Sequence, residues 1–333
     1  MVGSIPASMR AAFIHATGPA ESIEIGEVPV PTPGPGEVLV KNTVLAVDHV
    51  DTFVRSGAYR TPLPAHGPFI VGRDLVGVVA EIGDGVTGFA PGDRVWCNSL
   101  GHDGRQGSFS EYSVVEAERL YPLPEGVEAD AAAAVLHVAA TAWIGLFREA
   151  QLQSGETVFI GGAGGAVGSA FVQLAHAAAA RVIATCSPKD FEWCRASGAD
   201  IVIDYHDDDA LAQVRAAAPG GVHVWCDTSG HHDFEATLPV MRQRGRMLLM
   251  SALAAAPPLP VGAVYTSDLQ LRGFAISNAT VDDLAAAAEV INRMLAAGTL
   301  RGRIATVLPL DRTADAHRML ESHAVSGKIL VRP

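Results

Sequence analysis

Residues 160–170, IGGAGGAVGSA, place five glycines between Gly161 and Ser169. The apolar run Val158-Phe159-Ile160 precedes them and an alanine-rich stretch follows. A strand leads in and a helix leads out, which is the context in which a glycine-rich loop cradles phosphate. The strict G-x-G-x-x-G spacing is absent. The readable form is A-x-G-x-x-G, with Ala163, Gly165 and Gly168 at the marked positions and Gly164, Ala166 and Val167 between them. Small residues let backbone approach a pyrophosphate, and the first turn of the helix offers free amides and partial positive charge. The same glycines would also serve a tight turn with a helix packed closely on its strand. Alternating strands and helices downstream favour the dinucleotide.

An NAD site carries Asp or Glu about 20 residues further on, at the tip of the second strand, to bond the ribose 2′-hydroxyl. Here the tip reads ATCSPKD, with Thr185-Cys186-Ser187 at the end and Lys189 next. Ser187 and Lys189 are a hydroxyl and an ammonium suited to a 2′-phosphate, so the expected cofactor is NADPH. Lys189 also suits a solvated helix start, and Asp190 would oppose this reading if the loop were shifted.

Positioning such groups takes a sheet and its crossover helices. A length of 333 residues suggests two domains, and 49% apolar against 18% charged residues excludes a disordered chain. Net charge of −12 disfavours a nucleic-acid partner. Four scattered cysteines, Cys97, Cys186, Cys194 and Cys226, suit a reducing cytoplasm. The first residues lack a basic start followed by an apolar run, so no signal peptide is expected. The most apolar stretch, residues 131–147, is short and carries His137 and Thr141. It reads as packed helix, and no membrane partner is expected.

Residues 9–123 read as short strands divided by turns such as PTPGPGE and APGD, a compact β domain. Beyond Asp130, buried strands alternate with helices, the mark of a doubly wound parallel sheet. Near Gly273 the alternation stops. A long amphipathic helix over 282–297, the strand IATVLPL, a short helix over 314–322 and KILVRP follow. His66 is expected in an exposed loop, and His231-His232 at the start of a helix.

DHVDTFVRSGAY (48–59), VGRDLVGVVAEIGDGVTGFAPGDRV (71–95), the glycine loop, DIVIDY (200–205), CDTSG (226–230) and GKILV (327–331) stand in this order. Together they resemble the zinc-independent medium-chain dehydrogenase/reductases, most closely the quinone oxidoreductase or zeta-crystallin-like branch, over residues 10–331. The resemblance implies an α/β protein. A GroES-like catalytic domain (1–129, with 273–333 returning to it) would carry an inserted Rossmann NADP(H)-binding domain (130–272). It implies NADPH with the nicotinamide between the domains, and homo-oligomers paired through Rossmann edges. By position, Thr141 and the segment from Asp48 to Thr52 would line the nicotinamide, and Tyr205 and Lys189 would flank the adenosine phosphate. Ser251, Ala252, Phe274, Ala275, Ile276, Ser277 and Lys328 would close over the cofactor, and Tyr59 would face substrate.

Zinc-dependent relatives place Cys, a Gly-His-Glu triplet and a later Cys around a catalytic metal. The matching positions here are Asp48, Gly72-Arg73-Asp74 and His137, and the four-cysteine structural lobe is absent. Arg73 puts a guanidinium where the metal would sit, so no metal is expected. Arg73 is expected to pair with Asp48 or Asp74. Alternatively, His137 and Asp48 form a proton-delivery pair. A carboxylate–imidazole zinc site is the third reading, and would require the guanidinium to move. The branch more often has Asn at position 48 and Tyr at 53. Ala166 replaces a usual glycine, and the turn before Lys189 is one residue short.

Without a Lewis acid a simple carbonyl is poorly polarised, so the expected acceptor spreads the arriving charge itself: a quinone, or an enone. Tyr59, Thr52 and the cofactor ribose hydroxyl are the candidate hydrogen-bond donors to the developing oxyanion, and His137 or water the source of the proton. An enoyl-thioester reductase and a non-catalytic, crystallin-like NADPH binder are the rival readings.

Overall fold

The computed structural model describes residues 4–63, 67–251, 253–322 and 325–333; His66 and Ala252 lie outside them. The chain divides into two compact units, Met1–His137 with Leu284–Pro333, and Val138–Asp283. These seams fall later than 129/130 and 272/273.

In the first unit β1 (Ser8–Ile14) pairs with β2 (Glu24–Pro29), and β3 (Glu37–Val47) runs into α1 (His49–Ser56). The short β4 (Phe69–Ile70) joins β1. Around β3 gather β5 (Asp74–Ile82), β6 (Arg94–Cys97), β7 (Tyr112–Glu116) and β8 (Tyr121–Pro122). Sequence reading missed α1, taking these residues as strand and turn. Its signals are local: Asp48 precedes it, Asp51 three residues on accepts the Asp48 N–H at 2.8 Å, and Gly57 ends it at φ 82°.

The apolar stretch is not one helix. It holds α2 (Ala129–Ala133), α3 (Leu136–Trp143) and a π-helical turn over Ile144–Glu149. Among the described residues no helix is long and apolar enough to cross a membrane.

The second unit alternates β9 (Thr157–Gly161), α4 (Ala166–Ala177), β10 (Arg181–Cys186), α5 (Phe191–Ala196), β11 (Ile201–Asp204), α6 (Ala210–Ala217) and β12 (Val222–Asp227). Then come α7 (Phe234–Thr237), β13 (Met241–Leu249), α8 (Val261–Thr266) and β14 (Gln270–Gly273). The strands form a parallel sheet in the order β11-β10-β9-β12-β13-β14, as a doubly wound unit requires. Every residue of central β9 is buried, because helices cover both faces of such a sheet. Phe159 stacks on Trp225 of the next strand with ring centroids 3.7 Å apart. Helix α7 starts at Phe234, not at His231-His232, because the Asp233 carboxylate caps it by accepting the Ala236 N–H at 3.0 Å.

The chain then returns through α9 (Val281–Ala296), β15 (Ile304–Pro309), α10 (Thr313–Glu321) and β16 (Lys328–Arg332). β16 pairs antiparallel with β3 (Ile329 opposite Val47), and β3 with β5 (Ala46 opposite Asp74). That register gathers Lys328, Asp48 and Asp74 at one end of three adjacent strands.

Candidate active site

The glycine loop turns at Gly162, whose φ of 69° a side chain would resist. Ala163 is buried and its N–H donates to the Thr185 carbonyl at 2.9 Å, tying the loop to β10. A Cβ on Gly168 would lie 2.3 Å from the Gly162 carbonyl oxygen, so the helix approaches the strand this closely only with glycine there. Gly165 differs: it is exposed at the N-terminus of α4, and a Cβ would meet only the Gly162 oxygen, at 3.3 Å. Packing within the unit leaves that side free for a ligand. The amides of Ala166, Val167 and Gly168 form the first turn.

At the tip of β10, Ser187 is half-buried and Lys189 exposed, while Asp190 is buried. The Asp190 carboxylate turns into the loop, with Oδ2 2.5 Å from where a Gly164 Cβ would sit. Tyr205 follows β11, 55% exposed, its ring 4.0 Å from that of His206. Ser251 donates to the Thr228 carbonyl at 3.4 Å. Thr141, Phe274, Ala275 and Ile276 are half-buried.

The first unit holds a cluster of buried charge. Asp48, Asp51, Arg73, Asp74, His137 and Lys328 are each at least nine-tenths buried. The Lys328 ammonium contacts the Asp48 carboxylate, and His137 Nδ1 lies 3.3 Å from Asp74 Oδ1. The start of α3 is held by Asn98, whose amide donates to the Leu136 carbonyl at 3.2 Å. Thr52 donates its hydroxyl to the His49 carbonyl at 2.8 Å, within α1. Tyr59 is half-buried, its ring 5.8 Å from that of His102.

The expected pairing of Arg73 with Asp48 or Asp74 is not what the structure shows. Those carboxylates take Lys328 and His137, because strand register brings them there, and Arg73 Nε and Nη2 have no hydrogen-bond partner. Burial opposes charge on Asp48, but His137 and Lys328 outweigh it and hold its pKa below the usual range. Burial, then the Asp48 charge, raises Asp74. The same two causes push Asp51 up to about 8. His137 and Lys328 are raised: burial opposes them, but Asp48 and Asp74 prevail. Burial lowers Arg73.

Asp48, Asp74 and His137 each offer one ligand atom within 4.8 Å of the others. A divalent ion there would compete with the ammonium on Asp48 and with the His137–Asp74 contact. The cluster suits the handling of a proton: an imidazole held protonated by two carboxylates beside it.

Residues 34–125 match the alcohol dehydrogenase GroES-like domain and residues 166–293 the zinc-binding dehydrogenase domain. Quinone oxidoreductase of Rattus norvegicus is 27% identical over 327 residues, covering 97% of each chain. A 2-haloacrylate reductase of a Burkholderia species is 29% identical over 337 residues, covering 98% of this chain and 99% of its own. Among solved structures, an NAD-dependent alcohol dehydrogenase is 31% identical, covering 98% of this chain and all of that one, with a TM-score of 0.87. A mycobacterial protein complexed with NADPH is 27% identical over the same shares, with a TM-score of 0.84. The chain belongs to the quinone oxidoreductase-like medium-chain dehydrogenase/reductases.

As a medium-chain reductase it is an NAD(P)-dependent oxidoreductase, and the residues of its glycine loop fit a dinucleotide. Gly165 is open where packing does not require it, and α4 presents a first turn without a side-chain cap. An oxidoreductase of this family acts on a small molecule.

Proposed function

We propose that the protein reduces a quinone or conjugated enone with NADPH and without a metal. Residues Ala163, Gly164, Gly165, Ala166, Val167 and Gly168 would hold the pyrophosphate. Ser187, Lys189 and Tyr205 would hold the adenosine phosphate, and Thr141, Asp48, Ser251, Phe274, Ala275, Ile276 and Lys328 the remainder. When bound, NADPH supplies the hydride.

One observation carries the metal-free reading: the carboxylates and imidazole that offer ligand atoms to a divalent ion are engaged by the protein's own cation and by each other. The positively charged cluster would instead favour an acceptor that takes up hydride as it gains negative charge on oxygen. His137 would then give a proton to that oxygen or to the neighbouring carbon. Asp74 and Asp48 keep the imidazole charged until it does. Tyr59 would donate a hydrogen bond to the oxyanion. Thr52 would do so only by releasing the His49 carbonyl. The substrates for which the relatives are named, quinones and 2-haloacrylate, support the reading, since each holds a carbon–carbon double bond conjugated to a carbonyl.

NADPH over NADH is supported by the exposed Lys189 and by the inward turn of Asp190, which leaves an ammonium as the outward charge of that loop. Four buried free cysteines support a reducing, cytoplasmic setting. A homo-oligomer is expected, to be read by analytical ultracentrifugation.

The test is steady-state oxidation of NADPH and NADH with quinones, enones and simple alcohols or aldehydes, before and after chelator treatment. Enone or quinone turnover insensitive to chelator, lost by at least about a hundredfold in His137→Gln, is expected. Turnover confined to alcohols and aldehydes and abolished by chelator would overturn the proposal.

A further inference from the structure

Arg73 is the group that the proposed reaction leaves unused. It is 2% exposed, yet its Nε and Nη2 donors meet no acceptor among the described residues. A guanidinium taken out of water without a counterpart is costly, and such a group is rarely left so unless something arrives to meet it. The neighbouring acids do not serve. Asp48 is matched by Lys328 and Asp74 by His137. Asp51, whose charge bears most on Arg73, is held neutral up to about pH 8 by burial and by the charge of Asp48.

Two further polar side chains lie within electrostatic range of it. Tyr59 is close enough to bear on the ionisation of Arg73, and its ring lies 5.8 Å from that of His102. His102 Nδ1 is also shielded and without a partner. Burial, then the positive charges of Arg73 and Arg105, keeps His102 neutral. Guanidinium, phenol and imidazole therefore share one positive region. Tyr59 and His102 are part-exposed, so the group runs from a buried cation toward the surface.

We infer that Arg73, with Tyr59 and His102, recognises a carboxylate on the acceptor, making the preferred substrate an α,β-unsaturated carboxylic acid or an enone bearing an acid group. This rests on the proposed reduction of conjugated acceptors. The carboxylate accepts hydrogen bonds from Nε and Nη2 as a fork, and the phenol and imidazole supply further donors. A carboxylate conjugated to the double bond is thereby also neutralised, so its charge does not oppose the arriving hydride.

Binding and turnover test it separately. Calorimetry with hexanoate and its neutral counterpart hexanamide on the wild-type protein needs neither cofactor nor turnover. Hexanoate is expected to bind at least tenfold more tightly, with that preference lost in Arg73→Met and partly kept in Arg73→Lys. His102→Leu, at a part-exposed position, is expected to weaken hexanoate alone. In turnover, trans-2-hexenoate should exceed trans-3-hexen-2-one in kcat/KM in the wild type, and the order should reverse in Arg73→Met. Equal binding of hexanoate and hexanamide by the wild type overturns the inference even if enones are reduced. Preferential hexanoate binding with no reduction of any conjugated acceptor keeps the anion site and overturns the reaction.

Discussion

Lys328 directs its ammonium at Asp48, a residue 280 positions earlier in the chain, because β16 lies antiparallel against β3. Both side chains are 5% exposed. The contact closes the end of the cluster that strand register builds, and it lets a carboxylate remain charged in the interior.

Removing one partner should therefore be severe. Lys328→Met is expected to lower unfolding free energy by about 3–5 kcal/mol, the cost of stranding a buried charge. Lys328→Met with Asp48→Asn should recover part of that loss. Urea denaturation of the two variants measures both; a double variant no more stable than the single one would contradict the pairing.

Asp51 makes stability depend on pH with a definite sign. Its carboxyl is pushed up from 3.8 to about 8, by burial first and by the Asp48 charge second. The folded state thus keeps a proton that the unfolded chain gives up. This contribution is fully present below about pH 4 and is lost progressively as pH rises to about 8. Asp51→Asn, which keeps an oxygen for the Asp48 N–H, should flatten the decline between these limits. Thermal midpoints from pH 5 to pH 9 are the measurement, and parallel curves for variant and wild type would count against it.

Gly165 separates ligand from fold. An added methyl would meet only the Gly162 oxygen at 3.3 Å, so Gly165→Ala should shift stability by less than about 1 kcal/mol. Dinucleotide affinity should fall by at least about tenfold, because the backbone can no longer approach the pyrophosphate. Fluorescence titration with NADPH, beside a melting curve of the same sample, reads both effects. The contrasting Gly168→Ala, facing the Gly162 oxygen at 2.3 Å, should destabilise the unit itself.

Lys189 is exposed and should act on the cofactor alone. Lys189→Ala is expected to weaken NADPH binding about tenfold and leave NADH unchanged. Equal effects on both nucleotides would place the 2′-phosphate elsewhere.

What the sequence disclosed was whatever depends on near neighbours. The glycine loop, the alternating strands and the amphipathic α9 are periodic or locally spaced, and the fold class follows from them. Helix α1 was missed although Asp48, Asp51 and Gly57 mark its ends, because strand-like text surrounds it. The partners of the acids were misjudged for a different reason. Arg73 adjoins Asp74 in sequence, yet adjacent residues on extended backbone project to opposite sides, and it is Lys328 and His137 that arrive. The inward turn of Asp190 was equally hidden, since it depends on the space left by Gly164.

The pairing of β16 with β3 also orders the making of the molecule. Translation completes every strand of the parallel sheet before the ribosome reaches Lys328. The inserted unit has all its chain available while the surrounding unit still lacks its final strand. Asp48 therefore waits, without its cation, until Lys328 has been synthesised, and over that interval the nascent β unit is the half of the chain more open to aggregation.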